Sequence, residues 1–141
     1  MRRAVVLLAA ASVMVSAGQA LNAEAAKVRH PQAQCRTSEG NGWSDRDVKQ
    51  AIRCAASRWH VAGGAPKAIS VARCESGFDE HNYYAGHGGV FQHVIRYWSA
   101  RFRRWRVRGW HMRSRIYNAR SNVVISIRMA HAGGWGPWSC A

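Results

Sequence analysis

A small, mostly α domain of the α+β class, with one short irregular or hairpin-like loop, is the fold this sequence predicts. Three observations carry it. Apolar residues recur at helical spacing in separate stretches bounded by Gly and Pro. A run of glycines, Gly86, Gly88 and Gly89 among Tyr83, Tyr84 and His87, interrupts that periodicity. Four cysteines, Cys35, Cys54, Cys74 and Cys140, are spread along the chain as staples of the kind small exported domains use.

The elements follow in order. Arg2 and Arg3 precede an apolar run from Ala4 to Ala17, and small residues end at Ala20 or at Ala23-Glu24-Ala25. This reads as a cleaved secretory signal over residues 1–25. The run is too short for a membrane span, which needs about 20 residues, so no stable membrane insertion is expected. Residues 26–43 are polar and without period, an extended lead-in held by Cys35. From residue 44 to 141 a single domain is expected. Ser44, with Asp47 three residues on, opens the first helix as a capping-box-like pair. Val48, Ile52, Ala55 and Trp59 share one face of it, and Gly63-Gly64 closes it. Pro66 suits the first turn of a second helix running to Glu75, with Ile69, Ala72 and Cys74 as buried candidates and Gly77 as its stop. After the glycine loop, Val94, Trp98, Phe102 and Trp105 mark a third helix. Ile116, Val123, Ile127 and Ala130 mark a fourth, over 116–131, closed by Gly133-Gly134.

The net charge of +14 implies a polyanionic partner. Basicity alone does not choose between nucleic acid and the cell envelope. The export signal favours the envelope, with its peptide carboxylates and anionic polymers, and no nucleic-acid partner is expected.

The motif with chemical content is Cys74-Glu75-Ser76-Gly77, followed by Gly89-Val90-Phe91-Gln92. It sets one acid at the end of a helix, ahead of a glycine-lined loop that finishes in an amide. Glycosidic cleavage needs a carboxylic acid that still holds its proton when the leaving oxygen requires it. A helix C-terminus disfavours further negative charge, as does shielding by Cys74, Phe78 and Phe91. Retaining and inverting hydrolases also need a second carboxylate across the bond. Here no Asp or Glu occurs from His81 to Ala141, and Asp79 and Glu80 share the turn that holds Glu75. A mechanism with a single acid is the better match.

On these residues the chain resembles the lysozyme-like lytic transglycosylases of bacteria, in their small actinobacterial or phage type. Through the cysteine before the glutamate, it also resembles the resuscitation-promoting factors. The resemblance spans about Asp45 to Cys140 and is specific from Cys74 to Gln92. It implies a lysozyme-like fold with a sugar-binding cleft, and a secreted or wall-associated enzyme cutting the MurNAc-GlcNAc bond of peptidoglycan. Glu75 would be acid and then base, with a 1,6-anhydro product. It further implies that Ser76 sets the loop, that Gln92 contacts a sugar amide or positions the loop, and that Asn122 opens the last helix near the glycan. The ending Gly134-Trp135-Gly136-Pro137-Trp138 is similar to the family's Gly-Trp-x-x-Trp close, which would bring Trp138 against a pyranose. Tyr84 belongs to the loop expected to grip the strand. The family's pairing implies Cys74 with Cys140, leaving Cys35 with Cys54. No cofactor is implied, and the enzyme is expected to work as a monomer on glycan strands and anionic wall polymers. Glu80 stands where many members have proline.

Three other readings stand beside this one. A muramidase would use the same acid. Arg96 to Arg115 contains eight arginines interleaved with Trp98, Trp105 and Trp110, a composition shared with cationic envelope-binding proteins. A metal site is the third reading, from His81, His87 and His93 at intervals of six, a spacing that matches neither a helical i, i+4 pair nor a zinc-protease motif.

Overall fold

The computed structural model describes residues 34–36 and 42–141. The signal expected over residues 1–25 and most of the lead-in lie outside the described residues. Among those described are four helices and three very short strands, a mostly helical α+β arrangement.

Helix α1 spans Asp45–Arg58. Ser44 and Asp47 form the full capping box: the serine hydroxyl accepts from the Asp47 amide and the Asp47 carboxylate accepts from the Ser44 amide. Val48, Ile52 and Ala55 are buried as the stripe requires. Trp59 is the C-cap, not a helical residue, and it packs on Trp110 at 5.7 Å. Helix α2, Gly64–Ser76, starts two residues before Pro66, after a left-handed Gly63, and stops at Gly77, whose φ of 65° only glycine adopts at low cost. Ala68, Val71 and Ala72 are its buried residues. Cys74, expected inside, is exposed, because it faces the tail that it bridges.

The glycine loop forms a three-stranded antiparallel sheet from β1, Tyr83–Tyr84, β2, His87–Gly88, and β3, His93–Val94. Tyr83 faces Gly88 and Tyr84 faces His87; Gly88 in turn faces His93. Helix α3, Ile95–Trp105, follows at once and buries Trp98 and Phe102 while Arg96, Arg103 and Arg104 face out.

Helix α4, Ala119–Gly133, is the centre of the domain: every residue from Ala119 to Ile127 is buried. A helix buried all round must be covered on several sides; α1 and α3 both pack on it, and α2 packs on α1. Its N-cap is Asn118, whose side chain accepts from the Ser121 amide at 3.0 Å, so the helix begins three residues later than Ile116. Glu80 adds a second cap. It is 9% exposed, accepting from the Ala119 amide with one oxygen and from the Trp43 amide with the other.

Both disulfides are formed, Cys35 with Cys54 and Cys74 with Cys140. Oxidised cysteines match an oxidising compartment. No helix among the described residues is long and apolar enough to cross a membrane.

The loop is locked to α4 through Gly89. A Cβ there would strike the Asn122 amide nitrogen and come within 2.7 Å of the Ile116 carbonyl oxygen, at a φ of +80°. Gly89→Ala is expected to cost about 3 kcal/mol or more, read as a lower midpoint in urea denaturation. An unchanged midpoint would contradict this packing.

Candidate functional site

A pocket of about 450 Å³ lies between the end of α2, the β1–β2 hairpin and the C-terminal tail. Glu75, Tyr84 and Gln92 line it together with Asn82, Tyr83, Ala85, His87 and Ser139. Glu75 is the penultimate residue of α2 and is half-buried. One of its carboxylate oxygens accepts from the Cys140 amide at 3.3 Å. Among the described residues no cation pairs with it.

Across from Glu75 the two hairpin tyrosines are open to solvent, Tyr83 at 63% and Tyr84 at 77% exposure. Exposed rings at the mouth of a polar pocket are amphipathic surfaces that suit carbohydrate, with an apolar face and a hydroxyl edge. His87 hydrogen-bonds the Ala85 carbonyl through Nδ1 at 3.1 Å. A carbonyl only accepts, so Nδ1 carries the proton, leaving Nε2 of the neutral ring as an acceptor. Two pocket residues hold left-handed backbone without being glycine, Ala85 at φ 46° and Gln92 at φ 43°. Such conformations are sterically costly and concentrate at functional sites.

Gln92 holds its own loop: its amide nitrogen donates to the carbonyls of Asn82 at 3.1 Å and Gly89 at 2.9 Å. The Ser76 hydroxyl donates to the Val90 carbonyl at 2.8 Å, tying the end of α2 to the same loop. Ser76 therefore sets the loop from behind and does not line the pocket.

Two residues expected near the glycan are placed elsewhere. Asn122 is fully buried, one turn inside α4 instead of at its start. Its oxygen accepts from the Phe91 amide at 2.8 Å and its nitrogen donates to the Ile116 carbonyl at 3.0 Å and the Gly88 carbonyl at 3.4 Å. Both donors and the oxygen of its amide are thus engaged by backbone groups of the interior. Trp138 is 7% exposed, donates its indole N–H to the Phe91 carbonyl and packs edge-on against Trp135 at 5.3 Å. It seals the core under the pocket and offers no face to a sugar. Conversely, Asn82 and Ser139 line the pocket without a sequence signal of their own. Ser139 was legible only indirectly, since a Cys74–Cys140 bridge brings the residue before Cys140 beside Glu75.

No second carboxylate lines the pocket. Asp79 accepts from the His81 amide at 2.8 Å, and Glu80 is committed to the Ala119 and Trp43 amides. The three histidines do not converge: His81 is exposed beside Tyr117, His87 lines the pocket, and His93 is buried. Among the described residues no group of three metal-ligating side chains comes together.

His93 supports the floor through a directional chain. The Arg101 guanidinium can only donate, so the His93 Nδ1 it meets at 2.8 Å accepts. Nε2–H then donates to the Ser126 hydroxyl at 2.8 Å, and that hydroxyl donates to the Asn122 backbone carbonyl at 2.7 Å. Desolvation, helped by the Arg101 charge, lowers the His93 pKa from 6.5 to about 3. Between those values the unfolded chain binds a proton that the native state refuses. The stabilisation is complete above pH 6.5 and is lost as pH falls toward 3, at about 1.4 kcal/mol per pH unit. His93→Gln, which keeps one acceptor and one donor, is expected to flatten the slope of unfolding free energy against pH between 6.5 and 4. Equal slopes for the two proteins would rule out this burial.

The ion pairs among the described residues are Lys49 with Asp45 and His81 with Glu80, and neither uses an arginine. Desolvation lowers the pKa of Arg101 and Arg128 from the usual arginine value, and Arg128 is bound to the carbonyls of Trp105 and Arg106. Arg96, Arg103, Arg104, Arg106 and Arg108 stay exposed along and just beyond α3. In comparisons with known proteins, no family model, no curated protein and no solved structure matches this chain.

Proposed function

We propose that this protein is a secreted peptidoglycan-cleaving enzyme, a small lytic transglycosylase with a lysozyme-like cleft, whose acid is Glu75. The observation that carries the reading is a lone carboxylate at a helix C-terminus, in a pocket walled by Tyr83, Tyr84, Gln92 and Ser139. In this mechanism Glu75 gives its proton to the oxygen linking N-acetylmuramic acid to N-acetylglucosamine, and the bond from that oxygen to the muramic C1 breaks. The Glu75 carboxylate then takes the proton of the muramic 6-hydroxyl as that oxygen closes on C1. The acetamido group of the sugar stabilises the positive charge in between. No water is consumed, so no second carboxylate is needed to activate one. The exposed arginines of α3, Arg96, Arg103 and Arg104, supply attraction for the anionic polymers of the wall.

Mass spectrometry of the soluble products released from purified peptidoglycan, with Glu75→Gln run in parallel, tests the proposal. Anhydromuropeptides that vanish in the variant are the expected result. New reducing ends in their place would make the enzyme a muramidase, and the absence of any product would leave a cationic envelope-binding protein.

A further inference from the structure

The tail reaches Glu75 by two routes that meet. Cys74, the residue before Glu75, is bridged to Cys140, and the backbone amide of the same Cys140 donates to the Glu75 carboxylate at 3.3 Å. Ser139, the residue between Cys140 and the buried Trp138, completes the pocket wall. We propose that Cys140 is a positioning residue for Glu75: the Cys74–Cys140 bridge holds its amide on the carboxylate, so that a dithiol reductant reversibly switches the site off. This rests on the reading of Glu75 as the acid.

The arrangement has few other supports. Glu75 has no ion-pair partner among the described residues, and the hydrogen bond from Cys140 fixes which oxygen is turned toward the tail. Tail order ahead of that point comes from Trp138, whose indole is bound to the Phe91 carbonyl. Beyond Trp138, the tail's ties are the bridge, the Cys140 amide and a long turn contact from the Ala141 amide to the Trp138 carbonyl at 3.3 Å. Cys74 is exposed, so the bridge is open to attack by a thiolate. The other bridge, Cys35 with Cys54, sits on α1, and neither of its cysteines lines the Glu75 pocket. In the switching step a dithiol gives two electrons and two protons: the S–S bond becomes two thiols and the reductant becomes a disulfide. A displacement of about 1 Å in a catalytic group is enough to lower a rate about a hundred-fold.

The test compares wild type, the Cys74→Ser/Cys140→Ser protein, a Cys35→Ser/Cys54→Ser control and Glu75→Gln on soluble glycan strands. Near-ultraviolet circular dichroism of the core tryptophans reports the fold in each. The expected result is a ten-fold or larger fall in kcat for Cys74→Ser/Cys140→Ser, with KM changed less than three-fold, while the control keeps its kcat. Wild type treated with dithiothreitol should lose activity before its near-ultraviolet signal and regain it on reoxidation. A folded Cys74→Ser/Cys140→Ser protein with wild-type kcat overturns the proposal. If that variant does not fold, the reduction series decides, and loss of activity together with the tryptophan signal also overturns it. A Glu75→Gln protein as active as wild type would instead remove the reading of the site itself.

Discussion

Glu75→Gln is expected to lower glycan cleavage by about a thousand-fold while leaving the fold intact. The magnitude follows from the proposed role: a positioned general acid contributes roughly 10² to 10⁴ in rate, and no neighbouring acid is placed to substitute. Asp79 and Glu80 are held by the His81, Trp43 and Ala119 amides, and neither lines the pocket. The fold should survive because a glutamine oxygen can still accept from the Cys140 amide, and because the side chain is half-buried in a pocket, outside the packed core. Activity on purified peptidoglycan together with the melting temperature measures both halves. Retained cleavage would remove Glu75 from the chemistry. Lost cleavage with a melting temperature lowered by ten degrees would make its role structural.

Asn122→Ala should act in the opposite sense, on stability first. It strips the Phe91 amide and the Ile116 carbonyl of their partner inside the core, and each buried orphan costs about 1–3 kcal/mol. With the small cavity added, a loss of about 3–5 kcal/mol is expected, lowering the melting temperature by about 15 °C. Asn122→Asp would retain the acceptor for the Phe91 amide but set a carboxylate against two carbonyl oxygens, those of Ile116 and Gly88. It should be as damaging as alanine or worse. A thermal melt of both variants decides the matter. Near-native stability for either would mean that the loop from Gly88 to Phe91 holds its shape without this clamp.

Asn122 also illustrates where reading from the chain alone stops. Its position in the motif pattern suggested a role beside the glycan, and an asparagine at a helix start is ordinarily exposed. The start of α4 is instead Asn118, and one turn further in, the amide is fully buried. Nothing local distinguishes the two asparagines. The difference comes from which backbone groups lie within reach of each amide, and that is set by α4 packing against a loop about thirty residues earlier in the chain. Trp138 is similar: its side chain suits a sugar platform or a core seal equally well, and the choice depends on Phe91 and Trp135 already occupying the space it enters.

The sequence by itself determined what depends on neighbours a few residues apart. The capping box at Ser44, the stop at Gly77, the amphipathic stripe through Trp98 and Phe102, and the placing of a single acid at a helix end are all local consequences of spacing and backbone chemistry. Only the tertiary structure decided which polar groups face a ligand and which face the interior. It spent Ser76, Asn122 and Trp138 on backbone groups of the loop, turned Glu80 into a cap, and brought Asn82 and Ser139 to the pocket. The physical reason is that a buried backbone amide or carbonyl must find a partner, and which partner lies within reach is a property of packing between distant segments.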